Sequence, residues 1–306
     1  MARSLWLVVS VALAASTPSA QEPGSGSAPA APAAGPSAAA PAAAPAAPAP
    51  AIVFLKDGQQ LRGTLVARDA AGATLELEGG GRLVVPEVAI DRVEVGRPGQ
   101  ARVWSADPNR TRYLYSPSGF MLRQGEGYVS QTELLVTTVS YGITDHVTLA
   151  LGTAIPFLFV EHGVNLTGSL KIGRSLGEYL HVAAVGEALW LPGVEAGTTG
   201  GLLLGTVTIG TPDAHLGLSA GPPFVAGTEG NQVGDVLVSI SGNYRVSERI
   251  ALVSENWLLP GADNAYVISG AVRFIGQRLG VDAGLVFVDG ATVPVPWLDF
   301  TFSFGR

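Results

Sequence analysis

The sequence predicts an all-β protein: an antiparallel transmembrane β-barrel of about twelve strands, preceded by a small SH3-like β domain and a disordered Ala/Pro-rich tail. Three observations lead there. From residue 111 to 306, apolar residues return at every second position in segments of about ten residues, the period of a strand with two unlike faces. Short and long connections alternate between those segments. Charged residues make up 14% of the chain, about half the share of a soluble protein. No apolar run beyond the N-terminus approaches the ~18 residues that a helical span requires.

The opening MARSLWLVVSVALAASTPSA places Arg3 before an apolar stretch from Leu5 to Ala15 and then small residues. This is the layout of a secretory signal peptide, assigned to residues 1–20. Residues 21–50 are almost wholly Ala, Pro, Gly and Ser. They offer no large apolar group to offset the entropy of ordering, and their prolines favour an extended tail reaching about 90 Å at ~3.1 Å per residue. Residues 51–96 change character. Three or four short strands alternate with the turn signals Lys56-Asp57-Gly58, Asp69-Ala70-Ala71-Gly72 and Gly79-Gly80-Gly81. This small domain carries no histidine and no catalytic constellation, so contact with the cell wall or with a periplasmic protein is its expected role. Residues 97–110 form a linker, and 111–306 the barrel.

Within the barrel, Asn165, Thr167, Ser169 and Lys171 interleave with Val164, Leu166, Leu170 and Ile172, and Leu237, Ser239, Ser241 and Asn243 with Val236, Val238, Ile240 and Tyr244. Short turns are expected near Thr144–His146, Arg174–Glu178, Thr211–Ala214, Val246–Arg249 and Gly276–Leu279. Longer connections are expected near Ser116–Gly125, Phe157–Gly163, Pro192–Gly200, Pro223–Val233, Pro260–Asn264 and Asp289–Pro294. The count implies an even number of strands, with a first strand around Thr111–Tyr115 and both ends of the barrel on the short-turn side, facing the periplasm. The apolar side of each strand is expected to face lipid. The opposite faces are poor in Lys and Glu and rich in Gly, Ser and Thr, as a crowded lumen requires, and aromatics gather toward strand ends. Leu298, Phe300, Phe302 and Phe304 of the closing PWLDFTFSFGR therefore point outward.

The stretch NRTRYLYSPSGFMLRQGEGYVSQTELLVTTVSYGITDHVTLALG, residues 109–152, resembles the opening of a group of uncharacterised bacterial outer-membrane β-barrel proteins, porin-like barrels with a small N-terminal β domain. These begin with an aromatic-rich strand and a Gly-rich loop, then turn at Tyr-Gly-(Ile/Val)-Thr-Asp, here Tyr141-Gly142-Ile143-Thr144-Asp145. The resemblance implies a fold and an outer-membrane address and no activity. It departs at the end, where Gly305 and Arg306 follow the aromatic Phe304.

Seven charged residues fall on the polar faces of the strands: Glu133, Lys171, Glu187, Glu255, Arg273, Asp282 and Asp299. They are the candidate lumen charges. They admit two readings, a ring of carboxylates that selects cations or an internal ionic network that stiffens a filled barrel. Twelve strands spaced ~4.8 Å apart and tilted ~40° enclose a backbone radius of about 12 Å, so any channel is narrow. The function classes are accordingly a narrow channel for ions or small solutes, or an anchoring envelope protein whose periplasmic domain holds a partner.

Other chemistry is disfavoured. The chain has no Cys, which removes disulfides, thiol catalysis, Cys-ligated metal and lipid attachment to an N-terminal Cys. The net charge of −7 and the lack of a Lys/Arg cluster argue against a nucleic-acid partner. His146, His162, His181 and His215 show no metal-ligand spacing. Nothing in the order of residues brings Ser130, Ser140 or Ser254 to a histidine, so no catalytic residue, metal site or cofactor is assigned. The Gly125-x-Gly127 pair precedes a strand without a helix and is no phosphate loop.

Overall fold

The computed structural model describes residues 48–57, 59–77, 79–96, 103–154, 165–191, 198–227, 230–261 and 264–305. The expected signal peptide, nearly all of the tail, and the loop carrying His162 lie outside the described residues. The chain divides into two units, one of residues 20–104 and one that includes residues 105–306.

The smaller unit is a five-stranded antiparallel sheet in the order β4-β3-β2-β1-β5. Its strands are β1 (Ala49–Leu55), β2 (Gln60–Asp69), β3 (Gly72–Glu76), β4 (Arg82–Pro86) and β5 (Ile90–Val95), with a single 3-10 turn, Glu87–Ala89, between the last two. Five strands stand where three or four were expected, and β1 begins two residues inside the stretch read as tail. Alternation explains the core: Ala51, Val53, Leu65, Ala73, Leu75, Val85 and Ile90 all turn to one side and are buried together. The β2–β3 turn uses the sequence signal directly, because the Asp69 carboxylate accepts the backbone N–H of Ala71 at 2.8 Å.

The larger unit is a closed antiparallel barrel. Its wall strands are β6 (Glu126–Thr132), β7 (Val136–Thr144), β8 (Val147–Ala154), β9 (Leu166–Ser175), β10 (Leu180–Leu191), β11 (Thr198–Thr211), β12 (Ala214–Gly221), β15 (Leu237–Ser247), β16 (Ile250–Leu259), β17 (Ala265–Ile275), β18 (Leu279–Val288) and β19 (Val295–Gly305). Each pairs with its sequence neighbour among the wall strands, β19 pairs with β6, and β10 pairs with β11, so the ladder closes on itself. The remaining two, β13 (Pro223–Gly227) and β14 (Gly230–Val233), form a hairpin that continues the wall beyond β12 along the upper part of β11.

Burial is inverted relative to a soluble sheet. Leu216 is 68% exposed and Phe302 49%, whereas Asp299 and Thr301 are fully buried. A closed ladder pairs the wall strands with one another, and its apolar exterior suits hydrocarbon and not water. The expected outward direction of Phe300 and Phe302 holds. Among the described residues no helix is long and apolar enough to cross a membrane.

The five short turns fall where the sequence placed them, and Gly305 of β19 pairs with Glu126 of β6 at that same rim. The start of the barrel differs. Thr111–Tyr115 is not a wall strand and Ser116–Gly125 is not a loop over the far rim. Both lie inside the barrel. The wall begins at Glu126, and the segment expected to be one long strand folds at residues 133–135 into β6 and β7. One strand is lost and one gained, which leaves the count at twelve.

Candidate functional site

The lumen is filled by the chain itself. Residues 105–125 enter near the short-turn rim, where the Arg245 guanidinium donates to the Ser105 carbonyl at 2.7 Å. They rise into a hairpin whose arms meet at Arg112 and Pro117. Its turn is closed by the Tyr113 N–H on the Ser116 carbonyl at 2.9 Å and the Ser118 N–H on the Thr111 carbonyl at 3.1 Å. The segment returns to the same rim at Gly125, whose N–H bonds to Gly142 of β7. Pro108 and Pro117 limit regular pairing, and backbone groups left over by so short a hairpin must find partners on the wall.

The wall supplies them with charged side chains. Glu255 of β16 takes the backbone N–H of Leu114, Tyr115 and Ser116 on one carboxylate oxygen, at 3.0, 2.9 and 2.8 Å. Its other oxygen accepts the Trp257 indole N–H at 2.7 Å. Lys171 of β9 donates to the carbonyls of Thr111 and Phe120 at 2.9 and 2.7 Å. Arg273 of β17 forks onto both oxygens of Asp282 at 2.8 Å, reaches Asp107 at 3.0 Å and donates to the Tyr113 carbonyl at 2.7 Å. Asp299 of β19 binds the Arg112 guanidinium at 2.5 Å and the Thr132 hydroxyl at 2.7 Å.

Of the seven candidate charges, five therefore meet residues 105–125 directly or through a shared arginine: Lys171, Glu255, Arg273, Asp282 and Asp299. Glu187 lies half-buried on β10 opposite Ser169 of β9, within electrostatic reach of Lys171, Glu255 and Arg112 but outside the hydrogen bonds named above. Glu133 is not mid-strand. It sits in the tight β6–β7 turn with φ of 54° and accepts the Leu298 N–H at 3.1 Å. Burial pushes its carboxyl above the usual range, and that backbone bond only partly opposes the shift.

Glycines of the wall and of the segment let the two approach closely. A Cβ at Gly217 of β12 would lie 2.4 Å from the Tyr113 hydroxyl oxygen, and one at Gly119 would lie 2.4 Å from the His181 carbonyl. Phe120 packs between two histidine rings, with centroids 4.2 Å from His181 and 5.0 Å from His215. A serine does meet a histidine: Ser175 Oγ is 2.7 Å from His181 Nδ1, while His181 Nε2 lies 3.2 Å from the Gly210 carbonyl. Both ring nitrogens are thereby occupied, and the ring serves as a wall for Phe120. Toward the hairpin tip the contacts turn apolar, with Tyr113 and Leu114 against Val253, Ala271, Val286 and Trp297. Trp297 and Tyr128, two of the aromatics near strand ends, face inward and are buried.

The closed ladder and inverted burial define a porin-like, outer-membrane-type β-barrel. No protein-family model and no curated protein sequence matches the chain. Among solved structures, the KdgM porin in complex with disordered oligogalacturonate shares 7% identity at a TM-score of 0.39, over 58% of this chain and 95% of that one. The NanC porin shares 8% at 0.37, over 58% and 97%. Outer-membrane expressed OmpT of Vibrio cholerae shares 14% at 0.34, over 84% and 95%. These likenesses are too loose to carry a function, and the class rests on the geometry above.

Proposed function

We propose that the barrel is a narrow outer-membrane channel for ions or small solutes, held closed by its own residues 105–125. The observation that carries this reading is the separability of wall and filling. Twelve strands complete their ladder by pairing with one another, and the segment, apart from the apolar contacts at its tip, is held by hydrogen bonds and ion pairs that water could replace. A barrel filled only for stiffness has no such need for a polar interface, since an apolar filling of equal volume is at least as stable. The address is the bacterial outer membrane, with the N-terminal region in the periplasm and residues 51–96 free to contact the cell wall or a protein there. The chemistry is passage without catalysis.

Planar-bilayer conductance of the mature chain, beside a variant lacking residues 105–125, tests this. Heat-modifiable gel mobility confirms that each is folded. The variant is expected to give steady steps where the parent is mostly silent. A folded, silent variant would overturn the channel and favour the anchoring role.

A further inference from the structure

The cross-strand register places Asp282 directly opposite Asp299. Two buried carboxylates facing each other on adjacent strands repel. They are tolerated because each has its own guanidinium, Arg273 from the wall on Asp282 and Arg112 from the filling segment on Asp299. The two arginines differ in origin. Arg273 stays with the wall however the filling moves, whereas Arg112 leaves with it.

The half of the Asp299 site that belongs to the wall is complete without Arg112. One carboxylate oxygen is fixed by the Thr132 hydroxyl at 2.7 Å and the other by the Thr301 hydroxyl at 3.1 Å. Thr301 Oγ1 in turn accepts the Arg112 guanidinium at 2.9 Å. Asp299 and Thr301 are both fully buried. Arg112 fits this receptor incompletely. One terminal nitrogen reaches Asp299 and Thr301, the other turns back to the Leu114 carbonyl of its own hairpin, and its Nε is buried with no hydrogen-bond partner among the described residues. A guanidinium free of the hairpin could present a second N–H to the carboxylate in the parallel fork that carboxylates prefer.

We infer that Asp299, with Thr132 and Thr301, is a binding site for a small organic cation bearing N–H donors, of the guanidinium class, and that Arg112 is the internal occupant such a solute replaces when the channel opens. The inference rests on the channel reading. It names the solute class through the charge that opening leaves at this pair of facing carboxylates, Asp282 and Asp299 with Arg273 alone. A cation at Asp299 restores neutrality at the pair. An anion or a neutral sugar does not.

The test uses the full mature chain and the Arg112→Ala variant, with methylguanidinium as probe and tetramethylammonium, equal in charge but without N–H donors, as control. In bilayers R112A is expected to conduct. Millimolar methylguanidinium should reduce that current about tenfold more effectively than tetramethylammonium, a ratio typical of hydrogen-bonded against bare charge recognition. Adding Asp299→Asn to R112A should erase the difference, and Thr301→Val should narrow it. If R112A conducts and the two cations act alike, the site inference falls while the channel stands. If R112A and the variant lacking residues 105–125 are folded but silent, the channel falls. The site is then judged by melting of R112A in detergent: methylguanidinium raising the midpoint more than tetramethylammonium upholds it, and equal shifts overturn it.

Discussion

Glu255→Ala removes the acceptor of three consecutive backbone N–H groups at the hairpin tip and of the Trp257 indole. A hydrogen bond to a charged group contributes about 1.5–3 kcal/mol, and a buried donor left unmade costs about 1–3 kcal/mol. Three such bonds cannot simply be summed, because they share one oxygen and the tip can relax toward water. The loss is therefore placed at about 3–5 kcal/mol, the range for removing one partner of a buried charge interaction. If it acts on docking of residues 105–125, their open population rises by roughly two to three and a half powers of ten, at about 1.4 kcal/mol each. Amide hydrogen exchange in micelles reads this directly, since protection of Leu114, Tyr115 and Ser116 reports the opening free energy. Glu255→Gln keeps one acceptor oxygen without the charge and should fall between. If E255A lowers protection at those amides by less than about fivefold, under ~1 kcal/mol, the carboxylate is not what holds the tip and the reasoning fails.

Three further outcomes are expected. Arg273→Met leaves Asp107 and Asp282 buried without their shared guanidinium; it should cost about 3–5 kcal/mol and lower the heat-modifiable fraction, with R273K only partly restoring it because an ammonium cannot fork onto Asp282. Gly217→Ala drives a Cβ toward the Tyr113 ring, whereas a Cβ at the outward Gly270 meets only the Val253 carbonyl at 3.8 Å. G217A should therefore loosen residues 105–125, seen as faster proteolysis or exchange there, and G270A should not. At Glu133 the folded state binds its proton more tightly than the unfolded chain, so the turn loses stability as pH rises from the ordinary carboxylate range through the raised value. Glu133→Gln should flatten that slope in melting measured across mildly acidic pH.

The wall was readable because lipid and lumen impose opposite polarities on alternating side chains, a pattern carried locally by segments such as Leu237–Ser247. The five short turns were readable because their residues advertise them. The β6–β7 turn was hidden, since Glu133 and Leu134 adopt φ of 54° and 58°, a region ordinarily left to Gly, Asn or Asp. Length was the available signal. An unbroken strand from Glu126 to Thr144 has nearly twice the ~9–11 residues needed to cross a bilayer, and Arg110–Pro117 has fewer. Tyr113, Leu114 and Tyr115, apolar on both faces, are the second signal, for a wall strand must keep one face polar. The partners of Glu255 and Asp299 were not legible, because they lie 139–187 residues away in sequence.

That separation bears on how the protein is made. The filling segment immediately precedes β6, but its firmest anchors, Glu255, Arg273, Asp282 and Asp299, are on β16, β17, β18 and β19, the last strands to be synthesised. Contacts so distant along the chain are slow to form, since the entropy of closing the intervening loop must be met first. The seam between β6 and β19 unites the same two regions. Docking of Arg112 on Asp299 draws the first strand toward the last, so the residues that close the lumen also act as a clasp that brings the two ends of the sheet into register.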